Sequence, residues 1–366
     1  LLSNGVNLDG SLIENFANFP YLQKRRAYGN QDPLTMQNVA IPQELLLTED
    51  IVCAVNIRES SPWDIMYRNN AFALVNRQQK VQFPVTFTPE FYKKTMKNGC
   101  AVNKIITLYG GKTLAIFVYG NCSLIMQQHP CHYCSLANNK ARVNNFPKLV
   151  KQNELKEALM IALENSPNKV DQIMLNGGNF PDADKNFCFY LELVDIVNEV
   201  LETWKRKIEL HLIIFPPNNL ELLQHLLARN IKISMNLEIY DEALFKKYCP
   251  GKHAVLGQKN LLKALSKAVD YLGKGNVYSI LVGGIESLAS LNEGLATLAN
   301  LGVVPVINVF HPDPGTPLAK HAVSADTIMS MGRCLQDIYT QHAYMRPFYF
   351  CCGRNSLDTE AFYKLF

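Results

Sequence analysis

From residue 113 onward, short apolar and β-branched runs alternate with longer amphipathic stretches, and this alternation restricts the fold more than any other feature. The runs at 113–119, 172–176, 209–215, 232–237, 277–282 and 303–310 read as six strands. Between them, apolar residues recur at helical spacing. Leu261, Leu265, Ala268, Val269 and Leu272 share one face, and so do Tyr190, Leu193, Val194, Val197, Val200 and Leu201. Pro and Gly mark the strand ends, as in Asn176-Gly177-Gly178-Asn179, Phe215-Pro216-Pro217 and Gly283-Gly284. Strands that alternate with helices form parallel sheets through right-handed crossovers. Six such units are too few to close an eight-stranded barrel. The expected fold is therefore α/β, a partial (β/α)6 TIM-type barrel with N-terminal and C-terminal extensions.

The boundaries follow from where the rhythm stops. Residues 1–112 form an N-terminal accessory region packed on the barrel, with short strands expected at 51–55, 71–75 and 81–86. Residues 113–320 are the core. Residues 321–366 supply a helix near 325–341 and a strand or lid segment from Tyr344 to Cys352. The 36 basic and 32 acidic residues, net +4, form no long block of one sign, so neither a nucleic-acid partner nor a membrane surface is expected. The apolar run from Leu114 to Tyr119 is far short of the ~20 residues a membrane span needs. No signal-peptide layout is read in the first twenty residues, and the expected compartment is the reducing cytoplasm.

Ten cysteines are too sparse for a small disulfide scaffold and fit reduced thiols or metal ligation. Three of them fall on one loop after the first strand, as Cys122-(x8)-Cys131-His132-Tyr133-Cys134. Loops at the carboxyl ends of barrel strands carry active sites. The Cys-x2-Cys pair alone is shared by zinc sites, iron–sulfur clusters and dithiol redox pairs. Zinc would need a fourth ligand such as His129 or His132, and a redox pair leaves Cys122 without a role. A cube held by three thiolates uses all three and leaves one iron open to a ligand.

At these residues the chain resembles the radical S-adenosylmethionine (SAM) superfamily, in its biotin-synthase-like branch, over roughly 113–317. The family spaces its ligands Cys-x3-Cys-x-aromatic-Cys; here the second half matches, aromatic Tyr133 included, and the first interval is eight residues. Further matches stand in order at later strand ends. Gly177-Gly178-Asn179 is similar to the Gly-Gly-Glu motif that meets the SAM amino group, with Asn179 in place of Glu. Met235-Asn236-Leu237-Glu238 is similar to the motif that holds the ribose hydroxyls, and Lys252, in Cys249-Pro250-Gly251-Lys252, stands where relatives place a cation for the SAM carboxylate. Gly283-Gly284-Ile285-Glu286 resembles the region beside adenine, which Val309 and the residues after it would complete. Alone, each glycine pair fits an ordinary turn, Glu238 a helix start and Lys252 a solvated surface lysine, and the order of the fragments carries the resemblance.

The resemblance implies an oxygen-sensitive [4Fe-4S] cluster on Cys122, Cys131 and Cys134, with SAM as second cofactor. It implies an enzyme that cleaves SAM reductively to a 5′-deoxyadenosyl radical and takes hydrogen from a small-molecule substrate, leading to rearrangement, C–C bond chemistry or sulfur insertion. The expected partner is a one-electron donor such as flavodoxin or ferredoxin. The competing reading is a zinc-binding or non-catalytic iron–sulfur scaffold or carrier. Substrate-side candidates are His211, His311, Cys351, Cys352 and Arg354; Cys53, Cys100, Cys188, Cys249 and Cys334 read as buried small hydrophobes.

Overall fold

The computed structural model describes residues 1–8, 42–48, 50–58, 60–68, 71–76, 79–142, 149–166, 170–205, 207–313, 315–318, 321–348 and 353–366. Its strands are β1 (Asn7–Leu8), β2 (Glu44–Leu46), β3 (Val52–Ala54), β4 (Asp64–Arg68), β5 (Ala71–Val75), β6 (Lys80–Phe83), β7 (Ile106–Tyr109), β8 (Thr113–Phe117), β9 (Gln172–Asn176), β10 (Glu209–Ile213), β11 (Lys232–Ser234), β12 (Val277–Gly283) and β13 (Val304–Val309).

The six strands expected from the sequence are β8 to β13, parallel throughout and ordered as in the chain. They curl into a half-barrel. A seventh strand, β7, adds antiparallel to β8 through a tight turn in which Gly110 and Gly111 adopt φ values of 59° and 77°. Those values are left-handed, a region glycine enters at no steric cost. The sheet thus begins on the N-terminal side of residue 113. Every residue of β12 is buried, as expected for a strand covered on both faces. The helices Ala183–Thr203 and Gly257–Leu272 bury the stripes that include Val194, Val197, Leu261 and Leu265 against the sheet.

In the N-terminal region β4, β5 and β6 form an antiparallel sheet with β1 added parallel to β4, and β2 pairs with β3. Leu45, Val55, Ile65, Phe72 and Leu74 give this region its own small core. Glu44 faces away from that core, toward the barrel. Its carboxylate accepts from the backbone N–H of Gly110 (2.7 Å) and from Thr86 Oγ1 (3.1 Å), and Gln43 Nε2 donates to Leu108 O (3.1 Å).

The helix at 325–341 is present as Ala325–Gln341. The described part of the expected strand or lid, Tyr344 to Phe348, is not a strand. Phe348 is fully buried among the rings of His211 and Tyr278, and its carbonyl accepts from Gln172 Nε2. It plugs the barrel at the level where the strands begin.

Residues 354–357 close the open side of the sheet. Val309 N–H donates to Asn355 O (2.8 Å) and Leu357 N–H to Ile307 O (3.0 Å), joining the segment to β13. Arg354 N–H donates to Val52 O (2.6 Å) and receives Ala54 N–H on its own carbonyl (3.1 Å), joining it to β3. The wall therefore runs from β13 through the C-terminal segment to β3 and β2, and meets β7 through Glu44 and Gln43.

Asp358 anchors this closure. Fully buried, its carboxylate accepts from Phe348 N–H (2.6 Å), Ser356 Oγ (2.6 Å) and Thr359 N–H (3.1 Å). Asp358→Ala strips three buried donors of their acceptor and should destabilise the chain by about 3 kcal/mol. Chemical denaturation measures this, and an unchanged midpoint would mean that the segment is held by other contacts.

Candidate active site

The cysteine loop leaves the carboxyl end of β8 and folds back on itself. Cys122 precedes a helical turn, Ser123–Met126, after which Gln128 reverses the chain at φ 62° and His129 N–H returns to Leu124 O (2.8 Å). This turn takes up the residues by which the first interval exceeds three. Cys134 N–H bonds to Cys131 O (3.0 Å), so that pair shares one tight turn.

The loop after β9 is braided against this one. Gly178 N–H donates to Tyr119 O (2.8 Å), Ser123 N–H to Asn179 O (2.8 Å), and the buried Tyr190 hydroxyl to Gly178 O (3.1 Å). A Cβ on Gly178 would lie 1.6 Å from Asn121 O, and one on Gly177 would lie 2.6 Å from Tyr190 Oη. Only glycine fits at either place.

These loops border one cavity of about 180 Å³. Cys122, Cys131, Tyr133, Cys134, Gly177, Gly178, Asn179, Asn236, Glu238 and Lys252 all line it. The ten expected site residues from four separate stretches of chain are brought together. Asn236 Oδ1 accepts from Ser234 Oγ (2.7 Å). Lys252 Nζ donates to Asn236 O (2.7 Å) and to Glu238 Oε1 (2.8 Å). Burial alone would push the Lys252 ammonium down, but the Glu238 carboxylate beside it turns the net shift upward, so the lysine is charged.

The thiols differ in electrostatics. Cys134 keeps accessible surface, yet the protein around it excludes the water that would stabilise a thiolate, and its pKa is pushed up to about 12. Cys131 is shifted down, first because the Cys249 thiol donates to it and then, against its burial, because Lys252 is near. Cys249 is fully buried, and Tyr133 Oη stands 3.5 Å from its sulfur. Its contact with Cys131 was not foreseen from the sequence, where it reads only as a small hydrophobe.

Among the described residues, no three His, Cys, Asp or Glu side chains stand close enough to share a single ion. His129 and His132 do not line the cavity, and no histidine completes a tetrahedral zinc set there. Three thiols spread around one cavity, with no competing carboxylate but Glu238, suit a cluster whose ligands sit at separate corners.

Other expected site residues lie elsewhere. The Glu286 carboxylate accepts from Tyr240 N–H (2.9 Å), Asp241 N–H (2.8 Å) and Ser290 Oγ (2.6 Å), and so braces the turn before the helix Glu242–Tyr248. Val309 is buried in the seam with Asn355. His211 is fully buried against Phe348, below the cavity, where desolvation keeps its imidazole neutral. His311 Nδ1 stands 3.4 Å from Asp313. Arg354 is buried in the seam, stacked 4.3 Å over the Tyr109 ring and 4.0 Å from Glu44. None of the five lines the cavity. Cys351 and Cys352 lie outside the described residues.

A larger groove of about 1190 Å³ lies where β10 and β11 begin, and its lining includes two ion pairs, Arg229 with Asp195 (2.6 Å) and Lys232 with Glu209 (2.5 Å).

The gathering of motifs from successive strand ends in one cavity decides the likeness. The chain resembles the radical SAM superfamily. No family model matches it. A bacteriochlorophyllide c C-7(1)-hydroxylase from Chlorobaculum limnaeum is 24% identical over 162 residues, which cover 41% of this chain and 40% of that protein. The chain thus spans about two fifths of that relative's length. Among solved structures, a radical SAM methyltransferase from Sphaerobacter thermophilus is 13% identical, with a TM-score of 0.49 and 76% of each chain covered. SuiB from Streptococcus suis is 14% identical, with a TM-score of 0.45, covering 63% of this chain and 47% of its own. No helix among the described residues is long and apolar enough to cross a membrane.

Proposed function

We propose that this chain is a radical SAM enzyme acting on a small-molecule substrate. Cys122, Cys131 and Cys134 would hold a [4Fe-4S] cluster, and SAM would lie between the cysteine loop, the Gly177-Gly178-Asn179 loop and the Asn236–Glu238 bulge. When bound and reduced, the cluster supplies the electron that cleaves SAM to methionine and the hydrogen-abstracting 5′-deoxyadenosyl group. The observation that carries this reading is the single cavity shared by the three thiols, the glycine pair, Asn236, Glu238 and Lys252.

The chain's own residues supply position and exclusion of water. Gly177 and Gly178 let the backbone come close to a ligand where any side chain would block it. Glu238 and Asn236 present a carboxylate and an amide, groups that pair with adjacent hydroxyls. Ile213, Ile214 and Phe215 give the cavity an apolar wall, and an apolar wall would help protect a reactive carbon radical from stray hydrogen donors. No side chain is required as a general base to start the reaction. A substrate C–H bond held about 3–4 Å from the attacking carbon suffices. The relative named for a bacteriochlorophyllide supports a small-molecule substrate. The electron would come from a small one-electron carrier of the flavodoxin or ferredoxin type.

Anaerobic reconstitution with iron and sulfide, then dithionite and SAM, tests the reading. Formation of 5′-deoxyadenosine is expected; a reconstituted protein that makes none is not this enzyme.

A further inference from the structure

By its place in the motif order, Lys252 is expected to meet the carboxylate of SAM. The geometry points to a different duty, one that rests on the SAM reading of this cavity: we propose that Lys252 is a positioning residue that fastens Glu238 in its working place.

Lys252 is 7% exposed and sits in the short helix Pro250–Val255. That helix is pressed against the cysteine loop, since a Cβ on Gly251 would lie 2.4 Å from His129 O. The lysine is therefore aimed by packing. Two of its three N–H bonds go to the same short bulge, one to Asn236 O (2.7 Å) and one to Glu238 Oε1 (2.8 Å). Among the residues that line the cavity, Lys252 is the cation and Glu238 the carboxylate, so each neutralises the other.

Glu238 needs such a fastening. Its φ is +71°, a left-handed conformation that a residue with a Cβ holds only when its surroundings enforce it. Two bonds enforce it from β12: Glu238 N–H donates to Ile280 O (2.9 Å), and Glu238 O receives Val282 N–H (2.7 Å). The Lys252 contact is the third, and among the described residues it alone acts on the side chain. With Oε1 held by the ammonium, Oε2 is left to accept from a ligand hydroxyl.

The two roles separate by ligand. 5′-Methylthioadenosine has the adenine and ribose of SAM and lacks its amino acid. With cluster-loaded protein, Lys252→Met should weaken both SAM and 5′-methylthioadenosine by roughly tenfold, because both depend on Glu238. A loss confined to SAM would make Lys252 a carboxylate ligand and overturn the proposal, and so would no loss for either. Because Lys252→Met leaves a buried carboxylate unpaired, the double variant Glu238→Gln/Lys252→Met removes both charges together. It should bind each ligand no worse than Glu238→Gln alone, and a further loss for SAM would again overturn the role. Wild-type protein that binds neither nucleoside would sink the SAM reading of the cavity itself, a result distinct from any of these.

Discussion

Cys131→Ala and Cys134→Ala are each expected to bring bound iron and 5′-deoxyadenosine formation down to background, and Cys122→Ala should do the same despite its unusual distance in sequence. The physical reason is the count of corners. Three thiolates leave one iron free for a ligand, and two do not hold the cube against loss of iron. Because Cys249 touches Cys131, Cys249→Ala is the necessary comparison and should keep its iron. Iron content and visible absorption after anaerobic reconstitution decide the matter. Full activity in Cys122→Ala, paired with iron loss in Cys249→Ala, would move the first ligand from the first position to the second.

Gly178→Ala carries the second large effect. The added carbon would stand 1.6 Å from Asn121 O, 2.6 Å from Asn121 C and 3.1 Å from Cys122 Cβ. The first two atoms belong to the backbone, so no rotamer change relieves the clash. The loop after β9 and the cysteine loop must separate, breaking the bond from Ser123 N–H to Asn179 O. A cost of about 3 kcal/mol is expected, at the upper end of ordinary overpacking, with SAM binding lost even where the fold survives. Thermal unfolding and equilibrium dialysis read the two effects separately. A variant that binds SAM normally would show that the glycine pair is merely a turn.

Much of this was legible in the chain because periodicity is a local property. The segment 172–176 became β9 and 325–341 became a helix without adjustment, since in each case the apolar spacing, the flanking turns and the tertiary burial agree. β7 was missed although Leu108-Tyr109-Gly110-Gly111 announces a hairpin. A four-residue edge strand with alternating burial gives a weak signal. β4, which pairs with β1 on one side and β5 on the other, was missed as well. That Cys122, Gly178 and Glu238 would line one cavity was legible through the order of their motifs. Glu286 was assigned to a ligand by the same logic, but its carboxylate is taken up by two backbone N–H groups and a serine, which only the folded turn reveals. Nor does spacing disclose that Cys249 would meet Tyr133 across 116 residues, or that Arg354 would face Glu44.

The seam formed by residues 354–357 has a consequence for biosynthesis. Asn56 Nδ2 donates to Asn355 Oδ1 across 299 residues, and Tyr363 reaches Asp50 across 313. Such long-range contacts form late, because a large loop must first be closed. While the ribosome is still translating the middle of the chain, β8 to β12 have the partners they need, but one flank of the basin stays exposed. A nascent chain would therefore assemble most of the sheet as an open trough, and the later docking of residues 354–357 against β13 and β3 would turn that trough into a walled vessel.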